Sequence, residues 1–329
     1  MTAEASGLQV RGLTVDYRSE GGRIHALRNV DIEVPAGSIV GVVGESGCGK
    51  SSVISSIIRQ LPENADVTGG TIGFGGNNLL DLSKPEMRRI MGDRISVVFQ
   101  NPMTSLNPIR SIGKQMIDIQ YRSGRSKAEK RKVAIDMLNR VGVTDPEARL
   151  DQYSYQFSGG MCQRIAIAMA LMAEPSLLIA DEPTTALDAT LEVQIVDLLK
   201  NMQQELGCSI LFVSHHLGVI AELCDHVVVL YAGEVVEQGA VRDIFHRPAH
   251  PYTRRLMECE PGMIETVTRR LPSIAGEVPG LVNLPKGCIF ADRCTERFAR
   301  CEAEHPELQQ ISDSHRVACH LADEYGGRP

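Results

Sequence analysis

The sequence predicts an α/β fold with a parallel sheet, an inserted helical subdomain and a small cysteine-rich module towards its C-terminus. Three observations carry this. Short β-branched apolar runs alternate with helix-patterned stretches through most of the first 230 residues. A block near the middle breaks that alternation, with many Lys, Arg and Glu and apolar residues spaced three and four apart. Four cysteines, Cys288, Cys294, Cys301 and Cys319, crowd together near the end, whereas the other five are scattered over the first 260 residues.

Taken in order, residues 8–43 read as β-structure. Leu8, Val10 and the run 13–15 alternate, residues 25–34 follow, and Ile39-Val40-Gly41-Val42-Val43 is short and wholly apolar, as a buried strand should be. A helix is expected over about 49–59, then strands at 71–74 and 95–99. Residues 112–173 read as helical and place the inserted subdomain at about 105–173. Strand 177–180, helix 187–206, strand 209–213, helix 217–223 and strand 227–230 resume the alternation. Beyond Pro251 the pattern turns irregular, with Pro261, Pro272, Pro279 and Pro285. The expected division is an α/β domain over 1–257, with the helical insertion inside it, and a linker with the cysteine module over 258–329.

Composition narrows the function. No run approaches the roughly 18–20 apolar residues of a membrane helix, and residues 1–12 lack the basic-then-apolar pattern of a signal peptide, so a cytoplasmic chain is expected. A net charge of −7 without a basic block argues against nucleic acid as a partner.

Gly44-Glu45-Ser46-Gly47-Cys48-Gly49-Lys50-Ser51 fits G-x-x-x-x-G-K-[ST], with an apolar strand before it and a helix after it. Glycines let backbone N–H groups close around phosphate oxygens, and the helix N-terminus adds partial positive charge. Lys50 is expected at the β- and γ-phosphates of ATP and Ser51 at Mg²⁺. Cys48 contributes only its backbone in this reading, and Ser52 continues the loop. Leu177-Leu178-Ile179-Ala180-Asp181-Glu182 delivers two carboxylates to a strand end. Asp181 is expected to hold Mg²⁺ and Glu182 to orient and polarise the attacking water.

Upstream of that strand, Phe157-Ser158-Gly159-Gly160-Met161-Cys162-Gln163-Arg164 resembles the LSGGQ signature of ABC transporter ATPases. Phe157 and Met161 depart from it; the Ser-Gly-Gly core stands. The resemblance implies that Ser158, Gly159 and Gly160 meet the γ-phosphate of the facing ATPase subunit. It further implies that Gln100 is the Q-loop glutamine at Mg²⁺, that Thr185-Ala186-Leu187-Asp188 is the D-loop, that His215 is the switch histidine, and that Tyr17 stacks on adenine. His216 stands where the family commonly has an acidic residue.

The segments Phe99-Gln100-Asn101-Pro102-Met103-Thr104-Ser105-Leu106-Asn107-Pro108, Tyr231-Ala232-Gly233-Glu234-Val235-Val236-Glu237 and His250-Pro251-Tyr252-Thr253 resemble the dipeptide/oligopeptide importer ATPases. So does Pro285-Lys286-Gly287-Cys288-Ile289-Phe290-Ala291-Asp292-Arg293-Cys294, and the signature resembles the D-type subunit of these systems. The resemblance implies an ATPase that drives import of di- or oligopeptides or similar small solutes. Its partners would be two transmembrane permease subunits, a distinct F-type ATPase and an external solute-binding protein, and it would sit peripherally on the cytoplasmic face of the bacterial inner membrane. A soluble ABC ATPase acting on DNA or ribosomes and a non-catalytic regulatory subunit are the competing classes. The single acidic cassette weighs against the first, and intact Lys50, Asp181, Glu182 and His215 weigh against the second.

The spacing C-x5-C-x6-C-x17-C is neither the C-x2-C of common zinc modules nor a usual ferredoxin spacing. Four thiolates suit Zn²⁺ or an iron–sulfur cluster. The resemblance implies a [4Fe–4S] cluster, with zinc or no metal as the alternatives. His305, His315 and His320 read as hydrogen-bonded or surface residues. A charge-rich tail of this size is expected to bury little core of its own, and its distance in sequence from Lys50, Glu182 and His215 implies a structural role.

Overall fold

The computed structural model describes residues 7–185, 187–263 and 272–322. Ala186 of the D-loop reading, residues 264–271 of the expected linker and residues 323–329 of the tail lie outside the described residues. Twelve strands run along the described chain: β1 (Leu8–Ser19), β2 (Gly22–Val34), β3 (Ile39–Val43), β4 (Ala65–Phe74), β5 (Asn77–Asn78), β6 (Ile95–Val98), β7 (Leu177–Asp181), β8 (Ser209–Val213), β9 (His226–Tyr231), β10 (Glu234–Ala240), β11 (Gln309–Ser312) and β12 (His315–Val317). The chain folds as two compact units. The first holds Met1–Pro35, Ile39–Asp81 and Phe212–Pro329; the second holds Ala36–Ser38 and Leu82–Leu211.

In the first unit an antiparallel sheet runs in the order β2-β1-β4-β5. Leu8 and Val10 of β1 are buried, and a register shift between Val10 and Leu13 keeps Leu13 and Val15 buried as well. β4 starts six residues earlier than expected. Gly69 and Gly70 accommodate a register shift against β1. Gly70 has φ +91°, and a Cβ there would sit 2.6 Å from the Gly12 carbonyl, so the strand continues only because the residue is glycine.

A second sheet segment of this unit runs β11-β12-β10-β9-β3. β3 is buried along its whole length and pairs in parallel with β9, Val40 opposite His226 and Val43 opposite Val229. β10 and β12 add antiparallel strands, so the sheet is mixed rather than purely parallel. A helix over Pro251–Glu258 stands where an irregular segment was expected. Its start is proline in the first turn after His250, whose Nδ1 accepts the Tyr252 N–H at 3.0 Å.

The second unit carries the parallel pair β6–β7, with Val98 opposite Ala180, and β8 beyond it, the unit boundary falling inside β8. Four α-helices lie in the block read as helical: Ile112–Asp118, Lys127–Arg140, Pro146–Arg149 and Gly159–Leu171. A further helix, Lys84–Ile90, was not read from sequence. Its signal was the capping box, in which Ser83 Oγ accepts the Glu86 N–H and the Glu86 carboxylate accepts the Ser83 N–H. Helix Ala189–Leu206 opens on Asp188, whose carboxylate accepts the Leu191 N–H at 3.0 Å, and closes on Gly207 at φ +65°.

The tail corrects the expectation of a core-poor module. Phe290 is 1 % exposed and packs edge-on against Tyr231 and Tyr252, with ring centroids 5.1 and 5.4 Å away. β12 pairs with β10, and Val317 and Cys319 share a buried cluster with Ala249 and Ala322. At the centre is Glu237, fully buried. Its carboxylate accepts the N–H groups of Ala249 at 2.6 Å and His250 at 3.0 Å, and meets His315 Nε2 at 2.6 Å. The tail therefore completes this unit's core instead of building its own.

His250 is 1 % exposed, and burial pushes its imidazole pKa down to about 4, with Arg254 acting in the same direction and Glu237 against it. The unfolded ring titrates near 6.5, so above that pH both states are neutral. As pH falls from 6.5 towards 4, the unfolded chain gains a proton that the folded chain excludes, and stability is lost. Between pH 7 and 5 this site should contribute a loss of about 2 kcal/mol. Denaturant titrations at the two pH values check it: His250→Asn, which keeps a side-chain acceptor for the Tyr252 N–H, should lose about that much less than the wild type.

Candidate functional site

In the first unit the loop 44–51 leaves β3 and enters helix Lys50–Ile57. Two of its glycines are required by close approach. A Cβ on Gly44 (φ +154°) would stand 2.1 Å from the Leu230 carbonyl oxygen. One on Gly49 (φ +109°) would stand 2.6 Å from Leu27 Cδ2. Lys50 is 7 % exposed, and its Nζ donates to the carbonyls of Gly44 at 2.7 Å and Glu45 at 3.2 Å, which hold the ammonium within the loop. Cys48 is buried and its Sγ lies 3.8 Å from Lys50 Nζ. Burial raises its pKa more than Lys50 lowers it, so the thiol stays protonated at neutral pH. Tyr17 OH shares a 3.0 Å hydrogen bond with Ser52 Oγ, which fixes the phenol beside the helix that follows the loop.

His215 and His216 follow β8 at the start of helix Leu217–Leu223. The His216 N–H donates to Ser214 Oγ at 2.9 Å, and the two imidazoles meet edge to face at 4.4 Å. His216 thus braces the ring at the position where the family commonly has a carboxylate.

In the second unit the parallel pairing of β6 and β7 brings together two residues 82 apart. Gln100 Nε2 donates to Glu182 Oε2 at 2.9 Å. Thr185 Oγ1 donates to the same oxygen at 3.0 Å. Glu182 lies in the left-handed region at φ 44°, an uncommon conformation for a non-glycine residue and one often met at functional turns. Asp181 ends β7 beside it. Thr185 was not singled out as a positioner of Glu182; its place three residues on, within a turn, was the available signal.

Ser158 caps helix Gly159–Leu171, its Oγ accepting the Met161 N–H at 3.3 Å. Nothing lies within 4 Å of a Cβ built on Gly159, whereas one on Gly160 would press to 2.8 Å from Leu191 Cδ1. Gly160 therefore lets the signature helix approach helix Ala189–Leu206 closely, and Gly159 leaves the helix end open. Phe157 is a packed residue, with the Arg149 guanidinium 5.9 Å above its ring.

Cys288, Cys294, Cys301 and Cys319 are all free. Burial pushes the Cys288 thiol up to about 12, and Cys319, Cys301 and Cys294 add to that rise. Cys319 is pushed up to about 11 by burial, with Cys294 and Cys301 contributing. The Cys288 N–H donates to the Cys301 carbonyl at 2.8 Å. Among the described residues no group of three or more His, Cys, Asp or Glu is set to hold a metal ion. His305, His315 and His320 are hydrogen-bonded, to Glu234, Glu237 and the Glu304 carbonyl.

The tail, though distant in sequence, also touches the phosphate loop. Arg293 donates from both terminal nitrogens to the Glu45 carboxylate, at 2.7 and 3.0 Å, across 248 residues of sequence. The Glu45 N–H donates to Tyr252 OH at 3.0 Å. No local pattern in the sequence points to either contact.

A glycine-rich phosphate loop after a buried parallel strand, a Gln-held glutamate at the end of another, and a serine-capped Gly-Gly helix define an ATP-binding cassette. Residues 27–185 match the ABC transporter family, and residues 236–301 match the oligopeptide/dipeptide transporter C-terminal region. The chain is 46 % identical over 319 residues to a probable peptide ABC transporter ATP-binding protein, y4tR, of Sinorhizobium fredii, covering 96 % of this chain and 95 % of that one. It is 45 % identical, with the same coverage, to the dipeptide transport ATP-binding protein DppD of Bacillus subtilis. With DppD of Escherichia coli it shares 41 % identity over 98 % of both chains. Among solved structures it is similar to the ATP-binding cassette MJ0796 in a post-hydrolysis state bound to ADP and Pi. That likeness has a TM-score of 0.64 and 29 % identity, over 71 % of this chain and 99 % of that one. The chain belongs to the ATP-binding subunits of oligopeptide/dipeptide ABC transporters, which hydrolyse ATP to power transport.

Proposed function

We propose that this chain is the D-type ATPase of an importer for dipeptides, oligopeptides or similar small solutes. It works with two transmembrane permease subunits, an F-type ATPase that completes a heterodimer, and an external solute-binding protein. The names of its relatives support the solute class. No helix among the described residues is long and apolar enough to cross a membrane, so attachment to the cytoplasmic face of the inner membrane would be peripheral, through the permeases. We assign residues 1–257 to the nucleotide-binding domain, with 105–173 as an inserted helical subdomain, and 258–329 to the linker and cysteine-bearing segment.

The observation that carries the catalytic reading is the 2.9 Å bond from Gln100 to Glu182. It holds a carboxylate at a strand end, where ligands of open α/β sheets bind. In this reading Glu182 polarises the attacking water and His215 contacts the γ-phosphate. Lys50 and the backbone N–H groups of Gly44, Ser46, Gly47, Cys48 and Gly49, with Ser51 and Ser52, cradle the phosphates, and Tyr17 faces the adenine. Bound Mg²⁺ would supply charge neutralisation at the phosphates, held by Ser51, Gln100 and Asp181. Ser158, Gly159, Gly160 and Asp188 serve the partner's site, since a helix N-terminus with an open Gly159 offers free donors to phosphate.

Because each site needs the facing signature, the isolated chain should turn ATP over slowly. Addition of the permeases and the second ATPase should raise turnover at least ~10-fold. A steady-state phosphate-release assay of the chain alone and of the complex tests this; full, uncooperative activity of the monomer refutes it.

For Cys288, Cys294, Cys301 and Cys319 we propose a [4Fe–4S] cluster. What supports it is the number and chemistry of the donors, four free cysteines of which three are buried. A cluster would replace their protons and tie the segment into one shape.

A further inference from the structure

The contact between the tail and the phosphate loop reaches beyond these roles. Glu45 occupies the second position of a loop whose chemistry is to receive a polyanion. A bare carboxylate there would oppose the phosphates of ATP. The structure does not leave it bare. The Arg293 guanidinium, 4 % exposed, grips the Glu45 carboxylate, 27 % exposed, in a bidentate pair. Its remaining donors are also engaged. Nε donates to the Ala275 carbonyl at 3.0 Å, Nη2 to that of Ile274 at 3.2 Å and Nη1 to Tyr231 OH at 3.2 Å. The guanidinium carbon lies 5.6 Å over the Tyr231 ring. On the backbone side, Tyr252 OH accepts the Glu45 N–H while the Glu45 carbonyl accepts Lys50 Nζ. One loop residue is thus held from three directions, two of them by residues beyond 250.

We propose that Arg293 is a positioning residue for nucleotide: it cancels the Glu45 charge at the phosphate loop, and so sets ATP affinity from the C-terminal segment. This rests on the reading of residues 44–51 as the ATP loop. The arginine touches no reacting atom, so its loss should act on binding rather than on the chemical step.

The test measures MgATP binding to the full chain by equilibrium titration, and KM and kcat in the assembled complex. Arg293→Met should raise Kd and KM about tenfold at low salt, with kcat within about twofold of the wild type, and the defect should shrink as salt screens the exposed carboxylate. Glu45→Gln combined with Arg293→Met should bind within about twofold of the wild type, because no charge is left to cancel. Wild-type affinity in Arg293→Met overturns the proposal. So does a double variant as weak as the single one, which would make the arginine scaffolding only. If Arg293→Met does not fold, Arg293→Lys keeps the charge. Binding within about twofold of the wild type then supports the proposal, and a tenfold loss in the folded Lys variant overturns it. Lys50→Ala separates the two layers. Its loss of binding together with unchanged binding in Arg293→Met overturns this inference alone; unchanged binding in Lys50→Ala overturns the loop reading and the inference with it.

Discussion

Glu182→Gln is expected to slow ATP hydrolysis by the assembled complex at least ~100-fold while leaving ATP binding in place. The substitution is close to isosteric. An amide oxygen at the same position still accepts from Gln100 Nε2 and Thr185 Oγ1, so the turn at φ 44° keeps its two tethers. What disappears is the negative charge, the one property needed to polarise a water molecule. The effect should therefore fall on kcat and kcat/KM alike, as for a group that acts in the transition state alone. Single-turnover hydrolysis, with ATP binding measured in parallel, checks it. In the proposed heterodimer the second ATPase subunit would contribute its own site, so the complex should be assayed with the partner's site intact and with it silenced. Turnover near that of the wild type in both complexes refutes the assignment. Gln100→Ala offers a graded comparison: it removes one tether but leaves the charge, and should cost less than Glu182→Gln.

The second large effect is on iron. Protein purified without oxygen should be brown and carry about four iron and four sulfide per chain, and Cys294→Ser should lose that iron. The thiols of Cys288 and Cys319, pushed up to about 12 and 11, hold their protons at neutral pH unless a metal displaces them. Loading should accordingly release protons, and retention of iron should weaken as pH falls. Loss of the cluster should also loosen residues 288–319 to proteolysis. Arg293 adjoins Cys294, so ATP affinity should fall with the iron, by no more than the loss seen in Arg293→Met. Zinc in equal amount without sulfide would replace the cluster with a zinc site. An ordered tail that binds neither metal, or cysteines joined as disulfides, would end the metal reading.

Much of the site was legible because its signals are local. The glycines of residues 44–51 lie between an apolar strand and a helix, and β3 and β8 took the bounds their apolar runs imply. Ser158 and Asp188 are side-chain caps, and caps are written within three residues of their targets. The misses have physical causes too. Helix Pro251–Glu258 was hidden because proline punctuates loops as readily as it opens helices. β4 runs longer than the expected 71–74 because its pairing with β1 carries it through Gly69 and Gly70, where the register shifts.

The loop 44–51, the turn at Glu182 and the Ser158 cap of helix Gly159–Leu171 are set by chain-local chemistry: glycine conformational freedom, capping groups and apolar periodicity. The contacts that join distant segments are not. Gln100 meets Glu182 only because β6 and β7 pair in one register. Glu237 gathers the backbone of Ala249 and His250 and the ring of His315 only because β12 docks on β10. Arg293 finds Glu45 across 248 residues. Such pairings depend on sheet register and on the packing of a shared core, in which every strand constrains every other, and no short window of sequence contains that information.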